Sequence, residues 1–309
     1  MKKKVALIVI FNHKYVDNIE RLNYIYKGRF TEIYYLMPFY TGDQPNVIPV
    51  FDNSYYFQGF FAQALTRFYH EKYSHYCFIA DDLFLNPCVN ENNYCDYFNL
   101  DEHSSFIPDI HELHHLKNRK TFRFMHVRGN NKKLFWFKMR EEAFSFSYHE
   151  EGLNMESEIP SYEEAISLFA KHHLFVKPLR IEDVYGYVPD KSKSGTRYCV
   201  EYPLVLAYSD IVIVSSQCVK KFCHYCGVFA AANLFVELAI PTALVMSTEK
   251  IVTENETLIR GKNYLIQDPK QKYNKKMSRY KNNITTLLKE FPQDKLYIHP
   301  LKLSNWTID

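Results

Sequence analysis

The first apolar stretch, "KVALIVIF" from Lys4 to Phe11, is uninterrupted from Val5 onward. An unbroken β-branched run is the pattern of a strand covered on both faces, as in a parallel sheet. The polar segment "KYVDNIERLNYIYKG" follows and predicts a helix, "FTEIYYLMPF" a second strand, "GDQP" a turn and "NVIPVF" a short third strand. In "GFFAQALTRFYHEK", Phe61, Leu65 and Phe68 recur at helical spacing and predict an amphipathic helix that leads into a fourth strand, "HYCFIADD". The order β-α-β-β-α-β, with helices crossing between strands, predicts a largely parallel, doubly wound α/β sheet.

Regularity lapses over residues 91–195, which are rich in His, Asn, Lys and aromatics. One helix stands out there, "SYEEAISLFAKHH", with Ser161 as its cap and Glu164 at the capping-box position. Order returns with "SDIVIVSS" as a strand, "VKKFCHYCGVFAAANLFVELAI" as one or two helices and "PTALVM" as another strand. Beyond Thr248 the chain turns polar, with a helix expected near "MSRYKNNITTLLKEF" before the tail "LYIHPLKLSNWTID". No repeat or linker divides the chain. It reads as one domain: a first half over residues 1–90, an irregular insertion over 91–195 suited to binding an acceptor, and a C-terminal part over 196–309 with a helical tail.

Composition narrows the function. Over 309 residues, 47% hydrophobic and 24% charged is an ordinary globular balance, and 38 basic against 35 acidic residues gives too little net charge to imply a nucleic-acid partner. No apolar run reaches the roughly 18 residues of a membrane span, and the run after the basic start reads as a strand rather than a signal. A cytoplasmic protein is expected; the basic tip and the many aromatics leave room for peripheral contact with the inner face of a membrane. The odd cysteine count of seven argues against a disulfide framework. Cys218, Cys223 and Cys226 have a ferredoxin-like C-x4-C-x2-C spacing, but no cysteine follows in the chain and the stretch reads as helix, so buried thiols are expected.

Asp81 and Asp82 end the fourth apolar run. Buried unpaired charge is costly, and in open α/β sheets ligands bind beyond the carboxyl ends of the strands. A hard divalent cation, Mg2+ or Mn2+, takes oxygen ligands and is typically held by one or two carboxylates plus substrate phosphates. Alternatively, the pair caps the turn before "LNP" and faces solvent. The chain has no P-loop and no G-x-G-x-x-G after the first strand, and only nine glycines, so a diphosphate held by metal suits it better than a glycine cradle.

The strand and helix order ending in "ADD" resembles the nucleotide-sugar-binding half of GT-A glycosyltransferases, with a D-x-D or x-D-D motif at this place. The likeness covers residues 4–90 and, more loosely, 200–248; Ala80 stands where a first acid would be. The resemblance implies a GT-A-like, Rossmann-type mixed sheet flanked by helices, with Asp82 as the metal ligand and Asp81 as a contact to ribose or metal. It also implies that the loops after the first and third strands, Phe11, Asn12 and His13, then Asp52 and Asn53, hold the nucleoside. The implied partners are a nucleoside-diphosphate sugar donor and a glycan or lipid-linked acceptor, with Mn2+ or Mg2+ as cofactor and no nucleic acid.

Further candidates lie downstream. Glu237 sits in an apolar helix, four residues after Asn233, where burial disfavours its ionised form; it could serve as a base toward an acceptor hydroxyl, or pair with a Lys or Arg. Asp210 precedes a strand and lies either on the same rim or as a strand cap. His224 is a candidate metal or phosphate contact, or a packing residue. His111, His114 and His115 have spacing that could place two imidazoles on one helical face, as in zinc sites. "FRFMHVRGNNKKLFWFKMR" reads as a β-hairpin around a Gly-Asn turn, with Trp136 near the acceptor, or as an aromatic platform for sugars or single strands. The expected activity is glycosyl transfer; the competing classes are a nucleotidyltransferase acting on a sugar phosphate and a non-catalytic sugar- or nucleic-acid-binding protein.

Overall fold

The computed structural model of the chain describes residues 4–112, 158–175, 179–180, 199–200, 202–232, 234–264 and 277–308. The hairpin with Trp136, as well as His114, His115 and Asn233, lies outside the described residues.

Strands β1 (Lys4–Ile10), β2 (Glu32–Pro38), β3 (Val47–Val50) and β4 (Tyr73–Ala80) run parallel in the spatial order β3-β2-β1-β4. Helices α1 (Asn18–Tyr26) and α2 (Gln58–Phe68) form the crossovers predicted from the sequence. Pro49 is tolerated because β3 is an edge strand, where a missing N–H breaks no ladder. Three short elements follow: β5 (Phe84–Leu85), α3 (Tyr94–Phe98) and β6 (Ser104–Phe106). Next come β7 (His111–Glu112), α4 (Tyr162–Lys171), β8 (Leu179–Arg180), β9 (Cys199–Val200), β10 (Val205–Leu206) and β11 (Ile211–Ser215). The chain continues through α5 (Val219–Ala231), α6 (Val236–Ser247), β12 (Lys250–Val252), β13 (Arg260–Asn263), α7 (Ile284–Lys289) and β14 (Lys295–His299). β11 lies antiparallel between β4 and β6, and β12 closes the edge, making a mixed seven-stranded sheet, β12-β6-β11-β4-β1-β2-β3. A second sheet, β13-β14-β5, abuts it.

Alternation along β1 builds two cores. Ala6, Ile8 and Ile10 pack in one cluster with Phe61 and Phe68 of α2, Phe222 of α5 and Leu244 of α6. Val5, Leu7 and Val9 pack in the other with Ile19 and Leu22 of α1 and Ile284 and Leu287 of α7. The capping box at the head of α4 forms as the sequence predicts: Glu164 N–H donates to Ser161 Oγ (3.2 Å) and Ser161 N–H to Glu164 Oε2 (2.9 Å). The three cysteines of the ferredoxin-like spacing are buried free thiols at and within α5.

Three elements depart from expectation. "PTALVM" is not a strand but the body of α6, which is buried along almost its whole length. An element apolar all round gives the same signal whether it is a buried helix or a buried strand. Pro241 fits inside it because the Glu237 carbonyl, left without its helical donor by the missing N–H, accepts instead from Ala207 N–H (3.0 Å). The tail carries a strand, β14, that was not among the predicted elements, and the helix near "MSRYKNNITTLLKEF" is regular only over Ile284–Lys289. His111 lies in strand β7, not on a helical face.

Gly261 of β13 has no room for a side chain, since a Cβ there would lie 2.0 Å from Tyr297 Cζ. Gly261→Ala should lower the unfolding free energy by about 1–3 kcal/mol, the usual result of overpacking. A urea midpoint equal to that of the parent protein would refute the close fit.

Candidate functional site

Sheet register gathers the acidic residues. Ile10 pairs with Ala80 across β1 and β4, and Ile79 pairs with Ile211 across β4 and β11. The next residues continue both ladders: Ala80 N–H donates to Asp210 O (2.8 Å) and Asp81 N–H to Ile10 O (2.9 Å). Asp81, Asp82 and Asp210 therefore meet at one edge, beyond the carboxyl ends of the parallel strands. The chain then turns into β5, which pairs with β14 through Phe84 and Ile298. Leu301 N–H reaches back to Asp82 O (2.6 Å). This pairing delivers His299, a residue sequence reasoning missed, into the cluster. Its Nε2 lies 3.1 Å from Asp82 Oδ1 and 3.8 Å from Asp210 Oδ2.

The two adjacent aspartates have different surroundings. Asp81 is 6% exposed, and its carboxylate accepts from Asn12 N–H and the Asn18 side chain. Burial and the neighbouring Asp82 nevertheless push its pKa up to about 7. Asp82 turns toward His299. Burial alone would lower the His299 pKa, but Asp210, Asp82 and Asp81 outweigh it and the net shift is upward. Burial raises Asp210, and Asp82 adds to the rise while His299 opposes it.

Behind this trio stands Glu237, in the first turn of α6. Burial, then Asp210 and Asp109, push its pKa up to about 8, against the pull of His299. Further polar groups line the surroundings. Asp109 accepts from Tyr208 N–H (3.2 Å) and pairs with His111 (2.8 Å). Tyr297 OH donates to Glu254 Oε1 (2.6 Å), and the rings of Tyr297 and Tyr208 stack at 6.5 Å and 14°. The Tyr208 hydroxyl lies beside the Asp210 carboxylate, and His299 Nδ1 is buried with no hydrogen-bond partner among the described residues.

Other candidates fall elsewhere. The Phe11 side chain is wholly buried, edge-to-face with Tyr35 (6.0 Å). His13 is exposed, its ring edge-on to Tyr15. Asp52 and Asn53 sit at the end of β3, three strands along from β4; Asn53 Oδ1 caps the following turn by accepting from Tyr55 N–H (2.9 Å). His224 is on the outer side of α5, bonded to Glu158 O (2.9 Å), away from the aspartates. Glu237 falls in the first turn of α6, which begins at Val236.

The donor set suits a hard cation. Asp82 and Asp210 present carboxylate oxygens close together, in a cluster with more negative charge than the one imidazole of His299 can balance. Among the described residues, no three His, Cys, Asp or Glu side chains are gathered tightly enough to cage a metal alone.

No protein-family model and no curated protein sequence matches the chain. The geometry of the acidic edge therefore carries the functional argument.

Proposed function

We propose that the chain is a GT-A-like glycosyltransferase that moves a sugar from a nucleoside-diphosphate sugar to a hydroxyl of a glycan or lipid-linked acceptor. The observation that carries this is the meeting of Asp82, Asp210 and His299 beyond the carboxyl ends of β1 and β4, with Glu237 directly behind. Asp82, with Asp210, would hold Mn2+ or Mg2+, which when bound offsets the charge that develops on a leaving diphosphate. Asp81 holds the β1–α1 loop against the site through Asn12 and Asn18. Glu237, with its raised pKa, is suited to take the acceptor hydroxyl proton near neutral pH. Contact with a lipid-linked acceptor is proposed to be peripheral, at the inner membrane face; no helix among the described residues is long and apolar enough to cross a membrane.

The test is ligand protection. Mn2+ with UDP or GDP should raise the melting temperature by about 3 °C or more, as binding at tens of times Kd does for a chain of this size. An oligonucleotide should leave it unchanged. No shift with any nucleoside diphosphate and Mn2+ would overturn the reading.

A further inference from the structure

A second recess lies between the head of α4 and the first half of α5, apart from the aspartates. Its volume is about 650 Å3, within the roughly 300–1,000 Å3 of ligand clefts. β11 carries the chain from Asp210 to the opposite edge of the sheet, about 16 Å at ordinary strand rise, before α5 begins. The walls are pre-formed. The capping box of Ser161 and Glu164 fixes one rim, Tyr202 OH donates to Pro160 O (2.8 Å), and His224 Nε2 donates to Glu158 O (2.9 Å) across the cleft. The polar groups are of both signs and largely unspent. Lys221 forms no ion pair among the described residues although two carboxylates line the same cleft; its ammonium rests 5.6 Å from the centre of the Tyr225 ring. Glu164 commits Oε2 to the helix cap, and its charge, after burial, raises the pKa of the nearby Tyr225 hydroxyl.

We propose that this cleft is a non-catalytic binding site for a neutral oligosaccharide, holding a glycan chain at a distance from the acidic edge. The assignment stands whether or not that edge transfers sugar. A sugar hydroxyl both donates and accepts, so it is satisfied where acceptors and donors stand together. Carboxylates only accept and an ammonium only donates; Glu158 and Glu164 with Lys221, Ser167 and Tyr225 supply both kinds in one cleft. Ile159 and Leu168 add apolar surface for the C–H faces of a pyranose ring. Charged ligands fit less well. The two acids repel a polyanion, and the lysine beside them opposes a polycation or a bare metal ion.

The experiment is calorimetric titration of the full chain, without Mn2+ or nucleotide, with maltotetraose, cellotetraose and chitotetraose, and with a heparin tetrasaccharide and tetralysine as charged controls. At least one neutral sugar should bind with a Kd of about 1 mM or tighter, and neither control should. Lys221→Met should weaken that binding by about 10- to 100-fold and Tyr225→Phe, which keeps the buried ring, by about 3- to 10-fold, the usual effects of losing a charged and a neutral hydrogen bond. The proposal is overturned if none of the three sugars binds, if a charged control binds more tightly than they do, or if both variants bind like the parent, which would place the sugar elsewhere. Those results leave the transferase reading untouched, because it is tested by nucleotide protection with Mn2+; failure of that protection leaves the sugar cleft standing.

Discussion

Asp82→Asn should lower sugar transfer by on the order of 10²–10³, the usual effect of removing one electrostatic stabiliser of the transition state, and should abolish nucleotide protection by Mn2+. The same change should leave the fold intact, since it relieves the repulsion that helps raise the pKa values of Asp81 and Asp210 while giving up the charge that pairs with His299. Loss of activity on an intact fold marks a residue kept for chemistry. Parallel assays of transfer and urea unfolding decide it. Undiminished Mn2+-dependent transfer, or a loss explained by unfolding, would remove Asp82 from the site.

The second large effect concerns proton uptake. Glu237 rises from 4.5 to about 8, and Asp81 from 3.8 to about 7. For a raised carboxyl, the folded state keeps its proton while the unfolded chain gives it up. The contribution to stability is complete below about pH 4, declines as pH rises, and is gone once pH has passed the folded values near 7 and 8. Unfolding free energy of the metal-free protein should therefore fall by several kcal/mol between about pH 4.5 and 8.5, since each unit is worth about 1.4 kcal/mol. Glu237→Gln should flatten much of that slope. For transfer, the base must be ionised, so kcat/KM should climb with pH toward about 8, and Glu237→Gln should lose that limb. A flat stability profile in the parent, or an unaltered rate profile in the variant, would contradict the role of Glu237.

Much of this arrangement was legible in the chain. The runs "KVALIVIF" and "HYCFIADD" gave the two central parallel strands, and the aspartates at the end of the latter marked the ligand edge. Asp210 and Glu237 were recognisable as candidates because acids are rare in such apolar surroundings. His299 was not, because its place depends on β14 pairing with β5, a contact between segments more than 200 residues apart. The alternating "LYIH" before a proline was its one local trace. The direction of the Phe11 ring was hidden for a related reason: the end of an apolar run looks the same whether the ring turns into the core or out of it.

Pro241 has a result beyond the tolerance of a ring in a helix. By withholding one donor it lets Ala207 tether the head of α6 to the segment that leads into Asp210. The two acids are thus joined through a single main-chain link, three residues from Asp210 and at Glu237 itself, so that the head of the helix and the lead-in to β11 move as one piece.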